Sequence, residues 1–454
     1  MDYPKSVDTV IVGGGPAGVL AAYVIAEGEK SVLILDKKNR EKIGDKTCGE
    51  ALDRPAPLMM KDIGIPPPSG EELKSPIDYL SFTSIKLDEK LKAKTPAFLV
   101  DRHKYGQRLL RQAEKKGAVV MGESPVRELL VKGDQIVGVR VRDGQKVRDI
   151  KAKIVIDASG FVATVRKNIP SEIKRSTEYE VPDDSIVASY REIVEFEEEH
   201  PLVNEIILWY REDIPIPGYA WIFTSGSKRL NLGITWPKNV PYQEGMGLKD
   251  IYHSIFDEMY PPDTYTVIHS GGGQIPIRIP FSSAVFNGAI LVGDAGCFVD
   301  PTTAEGHGPA LISGYYAGKA ALEALEKGSY RAEDLWSMNL ETMHGIGKVS
   351  AMSYVVQQLM IELGPRKINH ILKKNVLTQD ELEQLFLDEN FEFSLGAKIK
   401  KALKFLPNLS PLFKIAKAFN KIEQVSKHYN EYPEKPEGLD QWTQRRNSLL
   451  GVSF

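Results

Sequence analysis

The sequence predicts a mixed α/β (α+β) chain in which a parallel-sheet domain is interrupted by a mainly antiparallel sheet and followed by a helical region. Three observations predict it. A strand, a glycine-rich turn, a helix and a second strand occupy Val7 to Leu35, the size of one βαβ unit. Between Ile173 and Ile279 strand-like segments recur without alternating helices. Beyond Val349 the periodicity is helical. At 454 residues the chain exceeds the roughly 250–300 residues at which one core stops growing.

In chain order, Val7 to Val12 is an apolar strand, Pro16 to Glu27 a helix rich in Ala, Leu and Val, and Ser31 to Leu35 a strand. Arg102 to Lys116 carries Leu109, Leu110 and Ala113 at helical spacing, and strands are expected near Ala118–Met121, Val126–Val131, Ile136–Val141 and Lys153–Asp157. Ile186–Glu192, Glu205–Tyr210, Tyr219–Thr224 and Arg229–Thr235 are the strands of the antiparallel sheet. Ala289–Val292 returns to a buried strand, then a glycine-rich stretch runs to Gly318 and a helix covers Ala320–Leu325. The domains expected are 1–72, 101–172 and 281–348 for the first, 73–100 and 173–280 for the inserted one, and 349–454 for the helical region.

With 42% hydrophobic and 26% charged residues the composition is globular, and a net charge of −3 offers nothing to nucleic acid. Two cysteines, Cys48 and Cys297, cannot by themselves ligate an iron–sulfur cluster or a cysteine-rich zinc site. No metal site is expected, and the location expected is the cytoplasm, with no signal peptide at Met1–Asp8 and no apolar run long enough to span a membrane.

Gly13-Gly14-Gly15-Pro16-Ala17-Gly18 follows the first strand and opens the first helix. This is the Rossmann-type fingerprint: Gly13 for the tight turn, Gly15 for approach of a pyrophosphate, Gly18 for close packing of helix on strand. Asp36, followed by Lys37, ends the second strand eighteen residues beyond Gly18, where a carboxylate accepts from ribose hydroxyls. A second signal is Asp157-Ala158-Ser159-Gly160 at a strand end. A third is Gly293-Asp294-Ala295-Gly296, then Asp300-Pro301 and Glu305-Gly306-His307-Gly308-Pro309-Ala310, where Asp294 would accept from a ribityl hydroxyl and a helix N-terminus would face a flavin ring. Together the three point to FAD rather than NAD.

With these segments, together with Gly44-Asp45-Lys46-Thr47-Cys48-Gly49-Glu50-Ala51 and Asp101-Arg102, the chain resembles the glutathione-reductase-type FAD oxidoreductases of the aromatic-hydroxylase branch, most closely the archaeal geranylgeranyl reductases. The resemblance covers most of the chain. It implies that Cys48, Gly49, Ala51, Arg102 and the backbone at Val126 also line the FAD, and that the reaction saturates double bonds of prenyl chains on membrane-lipid precursors. The family's substrate-domain motif runs tyrosine, any, tryptophan, any, phenylalanine, proline. Here Tyr219, Trp221 and Phe223 match, with Thr224 in place of proline and Gly233 followed by Thr235 where a second glycine is usual. The three aromatics share one face of a strand, as the wall of an apolar pocket or as ordinary core.

Hydride from flavin N5 would reach one alkene carbon and a proton the other, with Cys48 and His307 as the titratable candidates near the ring. The external donor stays open between NAD(P)H and reduced ferredoxin. A flavin monooxygenase or halogenase is the alternative, since aromatic hydroxylases share the glycine loop. Gly396 to Lys427 holds eight lysines against Glu423 alone, with Leu412, Ile415, Ala416, Phe419 and Ile422 at helical spacing. That pattern suits either a helix on an anionic membrane surface or a docked helix with a solvated face.

Overall fold

A computed structural model describes residues 3–53, 55–83, 90–143, 146–174, 176–202, 204–373 and 410–453. The first sheet runs β15 (Val285–Phe286), β16 (Ala289–Leu291), β9 (Lys146–Asp157), β1 (Ser6–Val12), β2 (Val32–Leu35), β6 (Val119–Met121). β16, β9, β1, β2 and β6 are mutually parallel, with Val12 opposite both Leu35 and Asp157. β7 (Val126–Lys132) and β8 (Gln135–Asp143) extend β9 as an antiparallel meander. A parallel sheet is covered on both faces, so its strands and helices are apolar all round: Val10, Ile11, Leu33 and Ile34 are wholly buried, and every residue from Ala17 to Ala26 in the helix Pro16–Glu27 is buried.

That helix lies against the helix His307–Lys327. A Cβ at Gly314 would overlap the backbone of Ala17, and one at Gly318 would press on Val24. The helix expected over Ala320–Leu325 therefore begins at His307 and takes in most of the glycine-rich stretch, whose glycines serve close helix approach.

The second sheet runs β14 (Tyr265–Pro276), β10 (Ile186–Phe196), β13 (Arg229–Pro237), β12 (Ala220–Thr224), β11 (Glu205–Trp209), β4 (Leu73–Thr83), β5 (Lys90–Val100), β3 (Ala51–Asp53). Its pairs are antiparallel except β11 with β4. β3 departs from the expected boundary: residues 51–53, assigned above to the first domain, pair with Leu99 to Ala97 on the edge of β5, where their N–H and C=O groups find partners.

Alternation on β12 separates two apolar clusters. Ala220 and Ile222 pack with Ile251, Tyr252, Ile255 and Phe256 of the helix Leu248–Phe256, while Tyr219, Trp221 and Phe223 pack with Ile77, Leu99, Ile206, Leu208 and Tyr210 on the other face.

The C-terminal helices Ser410–Asn430 and Leu439–Leu450 dock on the first domain, with Val425, Tyr429, Tyr432, Trp442 and Leu450 in the same core as β1 and β2. Arg446, 1% exposed, forms an ion pair with Glu178 at 2.7 Å. Of the lysine-rich stretch, residues 396–409 lie outside the described residues. In the rest, Ala418 and Ile422 are buried, Lys414 pairs with Glu362 and Lys427 with Glu423, and Lys417 is exposed. Among the described residues, no helix is long and apolar enough to cross a membrane and no three His, Cys, Asp or Glu are grouped to hold a metal.

Candidate functional site

The glycine loop sits at the carboxyl end of β1, between β2 and β9, where open α/β sheets bind ligands. Gly13 has φ +106°, a conformation that favours glycine, and a Cβ there would overlap the Ala158 carbonyl. A Cβ at Gly18 would overlap the Gly13 carbonyl and stand 2.9 Å from the Ala158 Cβ. Both are glycine because the chain packs on itself. Gly15 is different: a Cβ there would meet nothing within 4 Å, so the space it faces is free for another molecule.

The helix beginning at Pro16 has no side-chain cap and no acid in its first turn, which leaves its N–H groups to an anion. Gly14, Gly15, Pro16, Gly44, Arg102 and His307 line a cavity over this end, together with Val19, Tyr105, Gly106 and Leu109. Arg102 is 8% exposed and opens the helix Arg102–Lys115, capped by Asp101 accepting from the Lys104 N–H at 3.0 Å. Asp36 Oδ2 accepts from the Gly14 N–H and Oδ1 from the Lys38 N–H, each at 2.8 Å, so it shapes the loop while its remaining lone pairs face outward. Lys37 is exposed. Val126 stands at the same sheet end: Ser124, two residues before it, gives its N–H to the Asp36 carbonyl at 2.8 Å.

Asp157 is wholly buried and accepts from the Ser159 N–H, the Ser159 hydroxyl and the Arg166 N–H. It thereby sets the turn that presents Gly160, φ +69°, whose Cβ would lie 3.8 Å from Asp294 Oδ2. The second and third sequence signals thus meet. Asp294 bonds Lys46 Nζ at 2.9 Å, and Gly306 lies near its other oxygen. Gly293 has φ +56° and gives its N–H to Ser313 Oγ at 3.0 Å. A gap beside Gly15, free helix N–H groups, an arginine and two carboxylates at strand ends fit a dinucleotide of the FAD kind.

Cys48 and Gly49 bridge this centre to the second sheet. The Cys48 carbonyl accepts from Arg191 Nε and Asn231 Nδ2, each at 3.1 Å, and its Sγ accepts from the Glu50 N–H at 3.2 Å. Asn231 in turn accepts from Trp221 Nε1 at 3.0 Å. Gly49 lies against the Phe223 ring, and Ala51 packs in the cluster of Tyr219, Trp221 and Phe223. Tyr219 donates its hydroxyl to the Thr303 carbonyl. Tyr219, Trp221 and Phe223 form a row with ring centroids 6.3 and 6.1 Å apart.

The departures from the family motif have local roles. Thr224 Oγ1 accepts from the Glu205 N–H, and Thr235 Oγ1 from the Tyr219 N–H, each at 3.0 Å. Gly233 stays glycine because the Trp221 ring lies directly over it.

His307 opens its helix, with its ring Nδ1 3.3 Å from the Ala51 carbonyl. Burial, with Arg102 nearby, pushes its pKa well down, so the imidazole is neutral at ordinary pH. The N–H groups of His307 and Gly308 are not free as the sequence suggested: both donate to Glu305 Oε1 at 2.9 Å.

Tyr105 and Gly106 escaped sequence reasoning, and Gly44 and Glu305 were named there only as members of their motifs. The signal for one pair was present: Gly106 interrupts an otherwise good helix because its Cβ would crowd the Gly44 backbone, which has φ +93°.

Residues 8–165 match the family model of the FAD dependent oxidoreductases. Over 98% of its length the chain is 27% identical to the digeranylgeranylglycerophospholipid reductase of Sulfolobus acidocaldarius, covering 97% of that protein. Digeranylgeranylglycerophospholipid reductase 1 of Methanopyrus kandleri is 29% identical over 70% of this chain and 81% of its own. In fold, a geranylgeranyl bacteriochlorophyll reductase-like protein of Thermoplasma acidophilum superposes with a TM-score of 0.77 at 20% identity, over 93% of this chain and 99% of that one. A flavin-dependent brominase variant gives 0.65 at 17% identity, over 93% and 100%.

Proposed function

We propose that this FAD-dependent oxidoreductase saturates carbon–carbon double bonds in the geranylgeranyl chains of membrane-lipid precursors. Its relatives are named for that substrate. The single observation that carries the reading is the aromatic row Tyr219, Trp221, Phe223, buried on one face of β12 and seated through Phe223 on Gly49 beside Cys48. Bound and reduced, FAD supplies the hydride that adds to one alkene carbon.

The chain's own residues do the rest. The Gly13–Gly18 loop, Arg102 and Asp36 would hold the dinucleotide, with Asp294 and Gly160 as further groups toward it. The aromatic row excludes water and offers only apolar surface to a prenyl chain. An isolated alkene is a poor hydride acceptor, so position and an acid for the second carbon are what the protein must contribute. The lysine-rich stretch would bring the chain to an anionic membrane, and Lys417→Glu is then expected to weaken its sedimentation with anionic vesicles.

The experiment is anaerobic: reduce the purified protein with dithionite, add a geranylgeranyl lipid, and follow flavin absorbance with mass analysis of the lipid. Reoxidation with a gain of two hydrogens per double bond supports the reading. A flavin that reoxidises only when oxygen is admitted, across lipids of several head groups, favours an oxygen-activating monooxygenase or halogenase instead.

A further inference from the structure

The proposed reduction needs a proton as well as a hydride, and neither residue named from sequence is well placed to give one. The His307 Nδ1 faces a carbonyl, so it carries the hydrogen and leaves Nε2 as an acceptor. Cys48 Sγ accepts from a backbone N–H. Two other groups converge on the same point. Asp53 lies two residues after Ala51 on β3, hence on the same face of that strand, and Ala51 packs against the aromatic row. Its Oδ1 is buried without a hydrogen-bond partner and is so close to Gly308 that a Cβ there would overlap it. Glu305 reaches the same glycine from the loop before the helix, its Oε1 2.9 Å from the Gly308 nitrogen.

Neither carboxyl has an ion-pair partner among the described residues. Burial raises the pKa of Asp53 against the pull of its own backbone N–H, with the charge of Asp300 adding to the rise, and burial raises that of Glu305, with the charge of Asp53 adding. Against this, Arg102 and the two helix N–H groups favour the ionised form of Glu305. The remaining polar groups nearby are neutral or committed: His307, Tyr219 on the Thr303 carbonyl, and Asp300, which accepts from the Thr302 and Thr303 N–H groups and the Thr303 hydroxyl. Two buried carboxyls brought to one glycine, each feeling the other's charge, do not both ionise readily, so the pair rather than either residue holds a proton.

We propose that Asp53 and Glu305 share one proton and deliver it to the alkene carbon that does not receive the hydride. The inference rests on the reductase reading. In the balanced step the π bond breaks, one carbon gains hydrogen with its electron pair from the flavin hydride, and the other gains the shared proton. The pair is left doubly ionised and regains its proton from water. The electrons are restored by the external reductant, NAD(P)H or reduced ferredoxin.

The test compares Asp53→Asn, Glu305→Gln and Cys48→Ala, each loaded with FAD and checked for flavin content. Infrared spectra in water and in D2O should show a protonated-carboxyl band in the wild type that is absent from both carboxyl variants and retained in Cys48→Ala. Single-turnover reoxidation by a geranylgeranyl lipid should slow by about 100-fold in each carboxyl variant and lose the decline in rate at alkaline pH expected of the wild type. Glu305→Gln keeps an acceptor for the helix N–H groups, so it tests the pair even if Asp53→Asn folds poorly. Wild-type rates and pH profiles in FAD-loaded Asp53→Asn and Glu305→Gln, or no such band in the wild type, overturn the proposal. A wild type that shows the band yet reduces no prenyl lipid overturns the reductase reading instead, and the donor role falls with it.

Discussion

Replacing Gly15 by alanine separates what the glycine loop does for the chain from what it does for the cofactor. Gly15 has φ −71° and ψ 179°, which any L-residue adopts, and its Cβ would meet nothing within 4 Å. In the flavin-free protein Gly15→Ala is therefore expected to be neutral or to stabilise by about 0.4–1 kcal/mol, through lost freedom of the unfolded chain. The added methyl stands in the space the pyrophosphate would use. Losing one charged N–H contact there costs about 1.5–3 kcal/mol, or roughly 10- to 150-fold in FAD affinity. Gly18→Ala is the contrast: its Cβ would overlap the Gly13 carbonyl, and such overpacking costs about 1–3 kcal/mol or more. Urea unfolding of the flavin-free proteins and titration with FAD by flavin fluorescence read the two effects apart. Gly15→Ala binding FAD as tightly as wild type, or losing as much stability as Gly18→Ala, would refute the assignment of that space.

The other expectations concern stability and the second sheet. Arg446→Met takes away the short ion pair of buried Glu178 and leaves it only Arg278, at 4.0 Å, as a cationic partner, and should lower stability by up to about 3–5 kcal/mol, seen as a drop in melting temperature. Burial alone would raise the Glu178 pKa, but Arg446, the Ser282 hydroxyl and Arg278 outweigh it and hold the folded value down. Its contribution is therefore full above the unfolded value of about 4.3 and lost as pH falls, an acid limb that urea titrations should find flattened in Arg446→Met. Glu305 has the opposite sign. Its raised folded pKa gives a contribution present below about pH 4.3 and lost as pH rises through the folded value, so Glu305→Gln should gain stability relative to wild type toward alkaline pH. Gly233→Ala would push on the Trp221 ring and should depress prenyl-lipid turnover at least several-fold while FAD content, measured by absorbance, stays at the wild-type level.

By itself the sequence determined what is encoded within a few turns of chain. The glycine loop after β1, Asp36 at the end of β2, the buried face of Arg102–Lys115 and the alternation of Tyr219, Trp221 and Phe223 are all local patterns of period, turn chemistry and capping, and the structure places each where the pattern puts it. Tertiary structure decided what depends on which surfaces meet. Residues 51–53 read as part of the cofactor segment, and only the open edge of β5 makes them a strand of the second sheet. Gly314 and Gly318 read only as part of a glycine-rich stretch until a second helix is laid across them. Glu178 and Arg446 are 268 positions apart, and Asp53 and Glu305 come from different segments to one glycine. A lone carboxylate carries no periodicity, and its environment is set by burial and by the charges that folding brings beside it, so its chemistry is settled only when the faces that bury apolar surface have chosen their partners.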